Sequence, residues 1–216
     1  MSELELFTEL ILNADRAGAS QLVDRWAVGR GYNSILEELL SPAFKTIGEL
    51  WEKDEDISLA QGYVAARIAE DVLAKIESNW PDYCPNEEKG PVVVGNILDD
   101  CHPVGLKIVS SFLKMHGWKV LNIGVDIEPK TFVDKALELG AKAIGVSAMM
   151  YSTAVNISGV RSEIDGRGLN GKIMLAVGGA VFRLRPDLAD QVGADGMAKH
   201  AMDANALFDS LWARAL

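Results

Sequence analysis

Cysteine is scarce in this sequence, and its scarcity excludes two kinds of protein. The 216 residues include two cysteines, Cys84 and Cys101, which are too few for a disulfide framework and lack the C-x-x-C spacing of a zinc site. Long apolar runs are missing too, since none approaches the roughly 18 residues that a membrane-spanning helix needs. The acidic start, MSELELFTEL, lacks the basic region of a signal peptide. We therefore expect free thiols in a reducing compartment and a cytoplasmic protein without a membrane partner.

Basic residues are in the minority. The sequence has 21 Lys and Arg against 31 Asp and Glu, which gives a net charge of −10. Residues 1–88 hold 18 of the acidic and 7 of the basic residues, so the excess lies in the front half. Nucleic acid is an unfavourable partner for such a surface. A basic protein partner, or simply a solvated acidic face, remains open.

A strand signal is missing from the front half, where the apolar residues follow a helical period. Ser41-Pro42 is typical of an N-cap followed by proline at the first helical position, and Ser58 to Gln61 matches a capping box. Four or five helices without a strand predict a small bundle. The first helix carries its apolar stripe at Leu4, Phe7, Leu10 and Ile11.

The period changes after residues 79–91, whose three prolines, glycine and charge run predict a linker. We place the domain boundary there, between an N-terminal helical bundle at 1–88 and a second domain at 89–216. In the second domain short apolar runs alternate with helical patterns, which predicts an α/β domain with five parallel strands in a flavodoxin-like (Rossmann-like) arrangement. The apolar runs are Val92–Ile97, Val120–Ile123, Ala143–Val146, Ile173–Val177 and Gly196–Ala198, and the helical patterns are Leu106–Met115, Lys130–Leu139, Ser152–Ile164 and one ending near Trp212.

Polar and glycine residues follow three of the predicted strands. The stretch DDCHPVG, residues 99–105, comes soon after the first strand. The third strand ends in Ser147-Ala148-Met149, and the fourth ends in Gly178-Gly179. Because the carboxyl ends of parallel strands meet at one edge of the sheet, where ligands bind in such folds, we expect these residues to form one site.

Several chemistries are excluded at this edge. A receiver domain needs a phosphorylatable aspartate after the third strand, where this chain has Ser147. A P-loop and a G-x-G-x-x-G dinucleotide motif are both absent, and Ser147 lacks the second glycine of a G-x-S-x-G hydrolase elbow. No set of three or four ligands supports zinc. A metal carried by a macrocycle needs one axial ligand, and Asp100, two residues before His102, suits a carboxylate that orients a metal-bound imidazole.

The motif D-x-H-x-x-G formed by Asp100, His102 and Gly105 resembles the signature of base-off/His-on corrinoid-binding domains. Ser147-Ala148-Met149 is similar to the S-x-L of that family, and Gly178-Gly179 is similar to its double glycine. Each motif alone is short, but their combination with the predicted fold is specific.

The resemblance implies a role for each of these residues toward a bound cobalamin. His102 would replace dimethylbenzimidazole as the lower ligand of the cobalt, and Asp100 would orient it. The displaced nucleotide tail would enter a slot beside the sheet, where Ser147 would offer its hydroxyl and Met149 would pack against the corrin or the base. Glycines would let the tail pass close to the backbone, at Gly105, Gly178 and Gly179.

Three positions depart from the family pattern. Pro103 and Leu106 stand where the family often has Asp and Lys, so the polar contacts of those two positions are in doubt. Met149 replaces the usual Leu, which is a volume-conserving change. None of the three affects the implied axial ligand.

The front half resembles the helical cap of methyltransferase corrinoid proteins through Ile47–Glu52 and the acidic turn that follows. The resemblance then covers nearly the whole chain and implies a methionine-synthase-type cap and cobalamin-binding module that carries methyl groups, cycling between methylcobalamin and cob(I)alamin. Its partners would be a donor-specific methyltransferase, an acceptor methyltransferase acting on a folate or a thiol, and a reductive activator. The chain alone would not be catalytic. Methanol, methylamines, glycine betaine and aryl methyl ethers remain open as donors.

Two other functions share this type of module. An adenosylcobalamin-binding sensor carries a Trp and, after nine intervening residues, Glu-His; counted from Trp51, those positions hold Gln61-Gly62. The small subunit of a cobalamin-dependent mutase usually lacks the helical cap. The upper ligand that the purified protein prefers, methyl or adenosyl, separates a methyl carrier from both.

Overall fold

The computed structural model describes residues 1–52, 59–79 and 89–216. The contacts divide the chain into two compact units, Met1–Cys84 and Pro85–Leu216. Residues 80–88, which form most of the predicted linker at 79–91, lie outside the described residues, and so do Ser58 and the acidic turn before it. No helix in the described ranges is both long and apolar enough to cross a membrane.

The first unit is helical in the part that is described. Helix α1 opens with a capping box, in which the amide of Glu5 donates to Ser2 Oγ at 3.2 Å and the amide of Ser2 donates to Glu5 Oε2 at 2.6 Å. Phe7 and Ile11 are both buried, as their helical spacing predicts. The helices are α1 (Glu3–Leu12), α2 (Arg16–Arg30), α3 (Tyr32–Ile35), α4 (Ser41–Glu52) and α5 (Leu59–Ser78), with a π-helical turn at Leu36–Leu40.

The prediction that Ser41 caps a helix is wrong. Ser41 has helical angles, φ −68° and ψ −42°, and the π-helical turn at Leu36–Leu40 leads directly into it. Its buried Oγ has no hydrogen-bond partner among the described residues. Pro42 cannot donate a backbone hydrogen bond, and the chain accommodates that interruption by a wide turn before the proline instead of by ending the helix.

The second unit has the predicted five-stranded parallel sheet. The strand order is β2-β1-β3-β4-β5, which is the doubly wound order of flavodoxin-like folds. The strands are β1 (Lys89–Asn96), β2 (Trp118–Asn122), β3 (Ala143–Ser147), β4 (Met174–Gly178) and β5 (Gly196–Ala198). The helices are α6 (Pro103–Met115), α7 (Pro129–Leu139), α8 (Tyr151–Ala154), α9 (Ser158–Gly166), α10 (Ala180–Leu184), α11 (Leu188–Gln191) and α12 (Ala204–Arg214).

The predicted helix at Ser152–Ile164 is divided into α8, a 3-10 turn at Val155–Ile157, and α9. Two tertiary hydrogen bonds accompany the division. Thr153 Oγ1 donates to Asp100 Oδ2 at 3.1 Å, and Asn156 Nδ2 donates to the carbonyl of Leu98 at 3.2 Å. Helical periodicity carries no information about such contacts with a distant loop, so the sequence pattern predicted one continuous helix.

The two faces of the sheet have separate cores. Helices α6 and α12 cover one face through apolar residues that include Leu106 and Phe208, and α7 and α9 cover the other through residues that include Phe132 and Val160. Alternation along the strands assigns each position to a face. On the α6/α12 face, the register aligns the last residues of four strands, and this row is Asn96, Ser147, Gly178 and Ala198.

A second row lies two residues earlier on the same face. It contains Val94, Gly145, Ala176 and Gly196. A Cβ atom on Gly145 would lie 2.8 Å from Cζ of Phe208, and one on Gly196 would lie 2.6 Å from Cδ1 of Leu207. Side chains of α12 therefore cover this second row, and its small residues make room for them.

Candidate functional site

The loop after β1 carries the predicted metal ligand and is tied to the loop after β2. Asp99 has a left-handed backbone with φ 68°, and its amide donates to Oδ1 of Asp126 at 2.8 Å. The amide of Asp126 donates to the carbonyl of Asp100 at 3.1 Å. Helix α6 then starts at Pro103, whose fixed φ and missing N–H suit the first helical position. This position accounts for a proline that departs from the family pattern.

Asp100 is fully buried and accepts five hydrogen bonds. Its Oδ1 accepts from Nδ1 of His102 at 3.1 Å, from the amide of His102 at 3.1 Å and from Nδ2 of Asn96 at 2.8 Å. Its Oδ2 accepts from the amide of Met149 at 2.7 Å and from Oγ1 of Thr153 at 3.1 Å. Burial raises the pKa of this carboxyl, but the hydrogen bonds from Met149, Asn96 and His102 outweigh it, and the net effect lowers the pKa.

His102 lies at the surface with its ring held by Asp100. About half of its side chain, 49%, is exposed, whereas Asp100 is 0% exposed. An ionised carboxylate can only accept, so Nδ1 of His102 carries a proton in this hydrogen bond, and Nε2 is the ring nitrogen left to face a metal. The geometry therefore offers one imidazole nitrogen to a metal, with its tautomer fixed by a buried carboxylate. In the described parts of the chain, no cluster of three or more His, Cys, Asp or Glu could hold a metal ion by itself.

The three predicted glycines differ in what surrounds them. A Cβ atom on Gly105 would meet nothing within 4 Å, and one on Gly178 would meet only the carbonyl oxygen of Ala198, at 3.5 Å. Gly179 has φ 114°, and a Cβ atom there would collide with the carbonyl of Ala148. The protein's own backbone therefore requires glycine at 179. At 105 and 178 the space is open and suits a bulky group that approaches the backbone.

Ser147 and Met149 lie at the end of β3, next to the loop that follows β1. Ser147 is partly exposed, and its hydroxyl has no hydrogen-bond partner among the described residues. The side chain of Met149 is 40% exposed, although its amide is held by Asp100. The residues present thus fit a macrocyclic cofactor with a polar tail, since they combine one free imidazole nitrogen, an unpaired hydroxyl and open space above glycine.

Three residues of this arrangement were not predicted. Asn96 and Thr153 both donate to Asp100, and Asp126 holds the preceding residue, Asp99. A polar residue at the end of the apolar run PVVVGN was a visible signal for Asn96. Thr153 and Asp126 reach the loop from elements far along the chain, and no short motif contains them.

Comparison with known proteins assigns the two halves to one kind of protein. A family model described as "B12 binding domain" matches residues 90–207, and a second model with the same description matches residues 3–77. "Trimethylamine corrinoid protein 1" of Methanosarcina acetivorans is 39% identical over 200 residues, which are 90% of each chain.

Solved structures show the same fold. The Methanosarcina barkeri monomethylamine corrinoid protein superposes with a TM-score of 0.78 at 21% identity, covering 98% of each chain. A chain of the methanol:cobalamin methyltransferase complex MtaBC from Methanosarcina barkeri superposes with a TM-score of 0.53 at 19% identity, covering 96% of this chain and 78% of that one.

Proposed function

The chain belongs to the B12-binding family of corrinoid proteins, and we propose that it is a corrinoid methyl carrier that holds its cofactor base-off with His102 as the lower ligand. The observation that carries the proposal is the pairing of His102 Nδ1 with the buried Asp100 carboxylate. That hydrogen bond leaves Nε2 free on a half-exposed ring. The cobalt of a bound corrinoid supplies the methyl-carrying chemistry.

Asp100 orients and polarises the histidine in this proposal. Its five hydrogen bonds fix the carboxylate, and the lowered pKa keeps it ionised at neutral pH. An ionised partner on Nδ1 makes Nε2 a stronger donor to a metal. Thr153 and the amide of Met149 connect this pair to the end of β3, so the ligand is held by two loops of the sheet edge.

The remaining predicted residues would receive the body and the tail of the corrinoid. Gly105 and Gly178 leave space at the backbone, Ser147 offers an unpaired hydroxyl, and Met149 offers an exposed apolar side chain. Gly179 would act differently. It shapes the turn after β4 because only glycine fits there, and its contact with the cofactor would follow from that turn.

The proposal extends to the methyl donor and to the partner proteins. The relatedness to a trimethylamine corrinoid protein favours a methylamine as the donor, delivered by a donor-specific methyltransferase. An acceptor methyltransferase acting on a folate or a thiol and a reductive activator would complete the system. The chain itself would have no catalytic residue, because its residues bind and orient the cofactor.

The test of the lower ligand is His102→Ala, loaded with cob(II)alamin. In protein labelled with nitrogen-15 histidine, a histidine ligand splits the electron paramagnetic resonance lines of cobalt(II) into doublets, whereas the cofactor's own benzimidazole nitrogen splits them into triplets. We therefore expect doublets in the wild type and their loss in the variant. His116→Ala is the matched control, because His116 lies at the other end of α6 and bonds the carbonyl of Phe112. Doublets from nitrogen-15 histidine that persist in His102→Ala would refute the assignment.

The test of the donor uses the reduced, cofactor-loaded protein. It is mixed with methyltransferases specific for monomethylamine, dimethylamine, trimethylamine or methanol, and methylation of the corrinoid is followed by its visible spectrum. We expect a methylamine enzyme to methylate it. Methylation by the methanol enzyme alone would contradict the donor class and leave the lower ligand unaffected.

A further inference from the structure

Asn96 is a buried polar residue that no part of the predicted motif contains. It is the last residue of β1 and is 1% exposed. Its backbone is fixed on the side of the β2–α7 loop, since its amide donates to the carbonyl of Gly124 at 2.9 Å and its carbonyl accepts from the amide of Ile127 at 3.0 Å. The side chain therefore projects from a rigid point at the edge of the sheet.

The amide nitrogen of Asn96 holds both residues of the ligand pair. Nδ2 donates to Oδ1 of Asp100 at 2.8 Å and to the carbonyl oxygen of His102 at 2.9 Å. Both of its hydrogens are thus used within the loop that presents the histidine. A hydrogen bond to a charged group is stronger than a neutral one, so the contact with Asp100 is a substantial constraint.

The amide oxygen of Asn96 is buried and has no partner among the described residues. A rotated amide would not resolve this, because it would place the oxygen against the Asp100 carboxylate and the His102 carbonyl, which are both acceptors. An unpaired buried acceptor is unfavourable. The orientation of Asn96 is therefore set by its nitrogen, and its buried oxygen lacks a donor that a bound group could supply.

The position of Asn96 indicates where that donor would come from. In the register of the sheet Asn96 is aligned with Ser147, and Ser147 is aligned with Gly178. All three positions belong to the α6/α12 face. Ser147 has an unpaired hydroxyl there, and Gly178, which has no side chain, leaves open space. This is the region that the proposed function gives to the tail of the cofactor.

We infer that Asn96 is a positioning residue that joins the lower ligand to the tail slot: its nitrogen holds the Asp100–His102 pair, and its oxygen accepts a hydrogen bond from the nucleotide tail of a bound corrinoid. The inference rests on the proposed function and extends it to a residue outside the motif. When the tail occupies the slot, it gives the amide oxygen of Asn96 the hydrogen-bond donor that it lacks in the cofactor-free protein.

The experiment combines variants of the full chain with two cofactors. Asn96→Leu removes both ends of the amide at similar size, and Asn96→Asp keeps an acceptor but removes the donor. Asn205→Leu is the matched control, because Asn205 Oδ1 accepts from Lys89 Nζ and from Trp118 Nε1, each at 3.1 Å, and Lys89 and Trp118 are the first residues of β1 and β2, at the opposite edge of the sheet from the pair. The probes are cob(II)alamin and cob(II)inamide, and the second lacks the nucleotide tail.

Two measurements separate the role of the amide nitrogen of Asn96 from the role of its amide oxygen. The doublet splitting from nitrogen-15 histidine in the paramagnetic resonance spectrum reports ligation by histidine, and we expect the ratio of histidine-ligated to other cobalt to fall about tenfold or more in Asn96→Leu and in Asn96→Asp. The preference for cobalamin over cobinamide, measured as a ratio of Kd values, reports the tail. We expect it to fall about fivefold to tenfold in Asn96→Leu and to persist in Asn96→Asp.

Each outcome bears on a different claim. An unchanged ligation ratio in both Asn96 variants, or an equal loss in Asn205→Leu, would overturn the positioning role. An unchanged preference for cobalamin in Asn96→Leu would overturn the contact with the tail. If His102→Ala itself keeps the doublets from nitrogen-15 histidine, the proposed function fails at the lower ligand, and that result is independent of Asn96. If Asn96→Leu does not fold, Asn96→Asp still tests ligation.

Discussion

Asp99 and Asp126 face each other from two loops, and both have a left-handed backbone, with φ 68° and 58°. The amide of Asp99 donates to Oδ1 of Asp126 at 2.8 Å, and the amide of Asp126 donates to the carbonyl of Asp100 at 3.1 Å. Residues with a Cβ atom adopt this conformation at a free-energy cost. The loop that presents His102 is thus held in a strained form by its neighbour.

Asp99→Gly is expected to stabilise the cofactor-free protein. Glycine relieves the left-handed strain and keeps the backbone donor to Asp126, and the greater freedom of the unfolded chain offsets part of the gain. We expect the free energy of unfolding to rise by about 0.5–1 kcal/mol, measured by urea denaturation. Asp99→Ala keeps the strain and should not gain. Equal stability of the two variants would contradict this account.

Gly105→Ala and Gly179→Ala should have opposite effects on the cofactor-free protein. Gly105 lies within α6 with open space around it, so alanine should raise the free energy of unfolding by about 0.5–1 kcal/mol through helix propensity. Gly179 has φ 114° and no room beside the Ala148 carbonyl, so alanine should lower it by several kcal/mol. Thermal unfolding of the two variants checks both.

Gly105→Ala also tests the site when cobalamin is present. If the space above this residue receives the corrinoid, the added methyl group lowers the affinity for cobalamin although it stabilises the fold. Equilibrium titration with cobalamin measures this change. A variant that is more stable and binds cobalamin as tightly as the wild type would show that Gly105 does not border the cofactor.

Asp195→Asn is expected to destabilise the second unit. Oδ2 of Asp195 accepts from Nη2 of Arg161 at 2.5 Å and from the amide of Leu175 at 2.7 Å, and Arg161 also donates to the carbonyl of Gly193 at 2.8 Å. The aspartate therefore joins α9, β4 and the start of β5. We expect a loss of about 1–3 kcal/mol. Asp165→Asn, which removes an exposed partner of Arg161 at 3.4 Å, should change stability by less than about 0.5 kcal/mol.

The stability of the cofactor-free protein should depend on the ionisation of Asp100. Folding lowers the pKa of this carboxyl, so its contribution is fully present above the unfolded pKa of about 3.9 and is lost as the pH falls through the lower folded pKa. The difference in unfolding free energy between wild type and Asp100→Asn should be constant near neutral pH and should shrink below about pH 4. Urea denaturation from pH 3 to 7 measures it, and a difference that grows with acidity would refute the assignment.

Sequence patterns predicted the sheet better than the helices. The run Gly196–Ala198 matches β5 residue for residue, and Val92–Ile97 differs from β1 at its ends because Lys89–Pro91 also pair with β2. Apolar runs of buried parallel strands are a direct signal of burial on both faces. The prediction at Ser41, by contrast, was wrong. Serine is a common N-cap residue, but at this position the chain is already helical.

The histidine loop could be located from its short motif, whereas its supporting residues could not. Asp100 and His102 are two residues apart, and their hydrogen bond follows from that spacing. The contact between Asp100 and Thr153 joins residues 53 positions apart, and it depends on the register of two strands and the start of α8. Contacts of this kind are set by tertiary structure, so they cannot be predicted from single short motifs.

Side chains of α12 cover the second row of residues on the α6/α12 face, which contains Gly145. This cover affects the rate at which the protein can bind a cofactor. A tail that stops beside Asn96 and Ser147 leaves the contact of Phe208 with Gly145 in place, although Asn96 is 1% exposed and its side chain must be uncovered first. A longer tail that reaches Gly145 must first displace Phe208. Uptake of such a corrinoid would then be limited by the opening of α12, and its observed rate would level off at high corrinoid concentration.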